Sequence, residues 1–143
     1  MEAASRFGRL LKIRALQLDA AQAELVRTEK SLRSAITTTG VARDRLEGAN
    51  DAAVTEGELS IDDLVESRAR VELQARRLKE ALHDERGATV RRDQELERNK
   101  AMALKHRQVE SMNESALAAW TEAESRRERL RDDELASRRK VAR

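Results

Sequence analysis

The chain has 143 residues, 39% of them charged, and its aromatic complement is Phe7 and Trp120 alone. A compact globular domain of this length buries several aromatic side chains, so the composition excludes a thick core and leaves a thin seam of Leu, Ala, Val and Met. Basic and acidic residues nearly cancel, 29 against 27, which argues against general nucleic-acid binding.

Proline and cysteine are both absent. Nothing therefore has to bend sharply, and neither a disulfide framework nor thiol chemistry is available. The N-terminal region carries no apolar run long enough for a signal peptide or a membrane span. The expectation is a soluble, cytoplasmic protein. High charge with low hydropathy is also a mark of disorder. Balanced charge, Ala-, Leu-, Glu- and Arg-rich content and a seven-residue period favour long helices instead.

The first element is announced by leucine at every seventh position: Leu11, Leu18, Leu25 and Leu32, then Thr39, then Leu46. Half a heptad away stand Arg14, Ala21, Thr28, Ala35, Ala42 and Ala49. Such a period draws one narrow apolar stripe along a helix, and the stripe needs a partner helix to be dry. The pattern predicts a helix over about residues 5–51. Its end is weakened by Thr37, Thr38, Thr39 and Gly40 and by Gly48, since glycine costs about 1 kcal/mol relative to alanine inside a helix.

A turn is expected over about residues 52–60, with Gly57 as its tolerant residue. Ser60 is a good N-cap, and Asp62 and Asp63 suit the first turn of a following helix. That second helix is predicted over about residues 61–137. The chain then reads as a single unit, residues 1–143, all-α: two long helices in an antiparallel coiled-coil hairpin, the second helix longer. Folding at the turn lays Leu32 near Leu82, Leu25 near Val90, Leu18 near Leu96 and Leu11 near Met102. On the second arm the seam is assigned to Ile61, Leu64, Val71, Ala75, Leu78 and Leu82. Leu96 is assigned to the seam within a charged stretch, His83 to Lys100, after which the stripe resumes with Met102, Val109, Ala116, Ala123 and Leu130, with Met112 and Ala119 between, and a change of winding is expected near Gly87. The second arm outruns the first by roughly 45 Å at 1.5 Å per residue. This overhang keeps an apolar stripe with no partner in the chain, which is where another protein is expected.

No catalytic constellation is present in the sequence. His83 and His106 stand roughly 35 Å apart along a helix and cannot share a metal. The five glycines never cluster into a phosphate loop. Asp62-Asp63 and Asp132-Asp133-Glu134 are explained by capping and solvation. The reading is a non-enzyme with no cofactor, metal, nucleic acid or small-molecule substrate. The final segment is rich in arginine, with Arg126, Arg127, Arg129, Arg131, Arg138 and Arg139 in the overhang; it reads either as a solvated face with i,i+4 pairs or as a basic plug for an acidic partner. Trp120 lies in the same overhang and reads either as a seam residue or as a partner anchor. Phe7, Leu10, Leu11 and Ile13 form an apolar cluster at the other end of the first helix.

The opening Phe7-Gly-Arg-Leu-Leu-Lys-Ile-Arg-Ala-Leu-Gln-Leu-Asp-Ala-Ala-Gln-Ala-Glu-Leu25 resembles the FliJ family of flagellar export proteins, whose members begin with a phenylalanine and heptad-spaced leucines. Asp133-Glu134-Leu135-Ala136-Ser137-Arg138-Arg139 is similar to a segment near the end of that family's second helix. The stalk proteins of virulence type III secretion systems share the layout. The resemblance implies a cytoplasmic component at the inner-membrane export apparatus that links a hexameric export ATPase to the membrane export gate and assists export, with export chaperones as further partners. It implies ATPase contacts at the terminal segments, Phe7, Leu10, Trp120, Arg126, Arg127, Leu130, Arg131, Arg138 and Arg139, and gate contacts on the hairpin side, for which Arg43, Arg45, Arg68 and Glu72 are candidates. A monomeric hairpin is expected. The competing reading is a homodimeric leucine-zipper scaffold in which Leu11 to Leu46 pair between chains.

Overall fold

The computed structural model describes residues 2–55 and 60–141, with side chains from Arg6 to Val54 and from Ser60 onward. They form two α-helices, α1 (Glu2–Thr55) and α2 (Ile61–Val141), of 54 and 81 residues. The two pack as an all-α helical hairpin with the longer helix second, the fold class that the heptads predict. No described helix is long and apolar enough to cross a membrane.

Both helices run further than their sequence patterns suggest. Residues 52–55, assigned to the turn, continue α1; Ala52 and Ala53 are strong helix formers, and Ala53 is half-buried one heptad after Leu46. The turn assigned to Gly57 lies outside the described residues. α2 starts where Ser60 predicts. The Ser60 hydroxyl accepts a bond from the Asp63 amide (3.2 Å), and an Asp63 carboxylate oxygen accepts from the Ser60 amide (3.2 Å) and hydroxyl (2.6 Å). This reciprocal box satisfies otherwise unpaired amides of the first turn. At its far end α2 continues to Val141, with Arg138, Arg139 and Lys140 opposing the negative end of the helix dipole.

By proximity the chain falls into two units: Gln22–Arg98, and Met1–Ala21 with Asn99–Arg143. Within the first, the Thr39 hydroxyl lies 3.3 Å from the carbonyl oxygen of Ala81. This contact fixes the register, with Thr39 opposite Ala81. The heptads then place Leu32 opposite Ala88, Ala42 opposite Leu78, Leu46 opposite Gln74 and Ala49 opposite Val71. The expected pairing of Leu32 with Leu82 is thus displaced by six residues along α2. In these layers, that of Leu46 and Gln74 excepted, at least one of the two facing residues is small, and Ala42, Ala81 and Ala88 are buried, so the helices approach closely enough to exclude water from a seam only one residue thick.

The stripe on α2 does not change phase near Gly87. Burial recurs without interruption at Val71, Gln74, Leu78, Ala81, Glu85, Ala88, Arg92 and Glu95, and Gly87 keeps an ordinary negative φ inside a continuous helix. What looked like a pause is a stretch in which polar residues occupy the seam. Leu82 and Leu96 are half-buried beside it, and Ala75 is exposed. Ile61 and Leu64, assigned to the seam, are 80% and 52% exposed. The buried stripe of α2 begins only at Ser67, opposite Ala53 in this register.

Within the second unit the same spacing sets Leu18 opposite Met102, Arg14 opposite His106 and Leu11 opposite Val109. Val109 and Ala21 are buried, and Leu11, Leu18, Met102 and His106 half-buried. Met112 lies outside the stripe, exposed. The last layers that α1 can cover are those of Asn113 and Ala116, both half-buried.

Candidate partner-binding surfaces

From Ala119 to Val141, roughly 34 Å of helix, α2 has no residue of α1 opposite it among the described residues, and every residue from Leu117 to Val141 except Glu124 is exposed. The segment is helical on its own chemistry. Alanine recurs at Ala118, Ala119, Ala123 and Ala136, and ion pairs one turn apart tie Arg126 to Glu122 (2.5 Å) and Arg127 to Glu124 (3.3 Å). Each such exposed pair supplies about 0.2–0.5 kcal/mol. They hold the helix without closing its apolar face.

That face continues the seam. Counting heptads onward from Val109 and Asn113 reaches Ala116, Trp120, Ala123, Arg127 and Leu130. Trp120 is 38% exposed and Leu130 64% exposed, while Leu117 flanks them at 44%. Charge is graded along the segment: Glu122, Glu124 and Glu128 stand against Arg126 and Arg127 in its first half. Arg129, Arg131, Arg138, Arg139 and Lys140 outnumber Asp132, Asp133 and Glu134 in its second. Phe7 is half-buried at a seam position of α1, and Leu10 is exposed on its flank. Phe7, Leu10, Trp120 and the arginines all belong to the unit that holds both terminal segments.

Family models, curated proteins and solved structures offer no match to the chain.

The hairpin-side candidates all lie in the other unit. Arg68 and Glu72 are paired to each other on the surface of α2 at 3.2 Å, which leaves them less available as separate contacts than their spacing suggests. Arg43 is exposed. Arg45, also exposed, lines a shallow groove of about 370 Å³ with Val41, Ala42, Gln74, Arg77 and Ala81. This groove exists because the residues at its floor are small. Among the described residues no cluster of His, Asp or Glu is arranged to hold a metal ion.

The polar layers of the seam are the feature that sequence reading missed. Arg14 Nε, Gln74 Oε1, Arg92 Nε, Glu95 Oε2 and Asn99 Nδ2 are enclosed without a hydrogen-bond partner among the described residues. Arg92 Nε lies 3.0 Å from Asp93 Oδ1 and Arg98 Nη1 lies 3.8 Å from Glu95 Oε2, but neither distance comes with hydrogen-bond geometry. Strict seven-residue counting from Leu78 through Glu85, Arg92 and Asn99 to His106, and from Gln74 through Ala81 and Ala88 to Glu95, would have found those of α2, had apolar character not been required at each step; Arg14 already stands in the heptad row of α1.

Proposed function

We propose that this chain is a non-enzymatic coupling element of a bacterial type III protein export apparatus, flagellar or virulence-associated. In it the terminal end of the hairpin engages a hexameric export ATPase and the turn end engages the membrane export gate. The single observation that carries the reading is the unmatched end of α2, Leu117 to Val141, an exposed helical segment with Trp120 on the face that continues the seam. A hairpin of unequal arms offers a projecting helix to a ring-shaped partner and keeps its other end free for a second one. The FliJ-like opening at Phe7 to Leu25 and the Asp133 to Arg139 segment support the same assignment. Large aromatic and arginine side chains are also those that dominate protein–protein binding energy. On this reading the protein acts beside the inner membrane on the cytoplasmic side, and the Leu11–Leu46 row keeps the two arms together rather than joining two chains.

The test is co-purification with the export ATPase of the same organism. Deleting Leu117 to Arg143 abolishes capture of the ATPase and leaves the helical circular dichroism of the remaining hairpin largely intact. Undiminished capture by the deleted protein overturns the reading.

A further inference from the structure

We propose that the projecting end of α2 is self-complementary and pairs antiparallel with the same segment of a second copy of this chain. The surface used is a direct continuation of an interface that already exists. Ala116, Trp120, Ala123 and Leu130 occupy the heptad positions that, one to three heptads earlier, Val109 and Asn113 use to meet α1. Over Ala119 to Val141 no residue of α1 lies opposite this face among the described residues.

An antiparallel copy supplies it with matched chemistry. With Trp120 opposite Leu130 of the second copy, the symmetry of the pair also sets Ala123 opposite Arg127, and each of these layers occurs twice. The indole meets an aliphatic side chain. The methylenes of Arg127 cover the small Ala123 while its guanidinium reaches the rim, as long basic side chains do at such positions. Glu124, flanking the seam, falls beside Arg131 of the second copy. A parallel pair has none of this: it stacks Trp120 on Trp120 in a narrow seam and sets Arg127 against Arg127 at its centre. The overlap, from Leu117 to about Asp133, is roughly 25 Å of helix. That is small beside a standard protein interface, so the pair forms and dissociates with concentration. The Leu11–Leu46 row stays inside each chain throughout, and the contact does not depend on which larger protein the hairpin serves.

The full chain, followed by sedimentation velocity from about 1 to about 300 µM, is expected to rise from its 16.2 kDa mass toward twice that value. Trp120, the chain's single tryptophan, shifts its emission to shorter wavelength over the same range. Glu124→Arg weakens the association about tenfold, because two attractive cross-pairs become repulsive, and adding Arg131→Glu restores it. Leu130→Lys abolishes it, and all variants keep wild-type helicity. A mass that stays at 16.2 kDa across the range overturns the proposal and leaves this face to a different protein. So does a dimer that Glu124→Arg and Leu130→Lys leave unchanged, since it must pair through another surface.

Discussion

The hydroxyl of Thr39 sits between two carbonyl oxygens, 3.0 Å from that of Ala35 on its own helix and 3.3 Å from that of Ala81 on the other. Thr39 interrupts the leucine row and is 2% exposed. The short cross-helix distance shows why leucine is absent here: the backbones are too close for it. Thr39→Leu is therefore expected to destabilise the hairpin by about 1–3 kcal/mol through overpacking. Thr39→Val keeps the shape and loses a hydroxyl whose acceptors are both already bonded within their helices, so it costs less than about 1 kcal/mol. Urea denaturation of the two variants checks the order. Equal stabilities would mean that close approach is not what excludes leucine.

The box at the start of α2 carries a pH signature. Hydrogen bonds from the Ser60 hydroxyl and then from its amide hold the Asp63 carboxyl below the ordinary aspartate value of 3.8. A carboxyl depressed on folding contributes stability above its unfolded pKa and loses it as pH falls through the folded value. The stability difference between wild type and Asp63→Asn is thus constant above about pH 5 and closes below the unfolded pKa. Ser60→Ala, which removes the cap itself, costs about 1 kcal/mol at neutral pH. Thermal melts at a series of pH values test both. A difference that widens on acidification would contradict the sign.

Gly40 and Gly48 lie in the body of α1, and neither has a positive φ. A Cβ built at either position meets nothing within 4 Å. Nothing in the fold requires glycine there, so Gly40→Ala and Gly48→Ala each stabilise by about 0.5–1 kcal/mol. The gain is read as a higher denaturation midpoint with an unchanged slope.

The sequence made the architecture legible because a single physical rule, apolar residues at a seven-residue period, governs nearly all of α1. Leu11, Leu18, Leu25, Leu32 and Leu46 all fall on the half-buried stripe, as do Val71, Leu78 and Met102. The start of α2 was legible for a different reason: Ser60 with Asp63 is a local code that does not depend on tertiary packing. The register was not legible. Every heptad offset gives some apolar match, and only the backbone approach at Thr39 and Ala81 selects among them. Ile61 and Leu64 misled because apolar character beside a turn does not require burial. Of the candidate contact residues, Arg68 and Glu72 proved to satisfy each other. Trp120 lies one heptad after Asn113, on a row that the sequence pattern sets one residue earlier, at Met112 and Ala119.

That same counting leads to the polar layers, where stability and specificity separate. Asn99 occupies a seam position opposite Ala21, and its Nδ2 is enclosed without a hydrogen-bond partner among the described residues. Enclosing an unpaired amide donor costs about 1–3 kcal/mol, and a leucine beside the small Ala21 repeats the large-on-small packing seen at Ala42 and Leu78. Asn99→Leu is therefore expected to raise stability by about 1–2 kcal/mol. The gain has a consequence for register. Leucine rows are compatible with any whole-heptad shift, and a polar residue that tolerates only a small neighbour penalises the shifted alternatives. A pair of cysteines at Leu18 and Met102 reports this directly, because their disulfide closes only when those two residues share a layer. In the parent sequence the bond should form quickly and nearly completely. With Asn99→Leu added, the protein melts higher while the bond forms more slowly or less completely. Higher stability with undiminished cross-linking would show that Thr39 and Ala81 hold the register without help from Asn99.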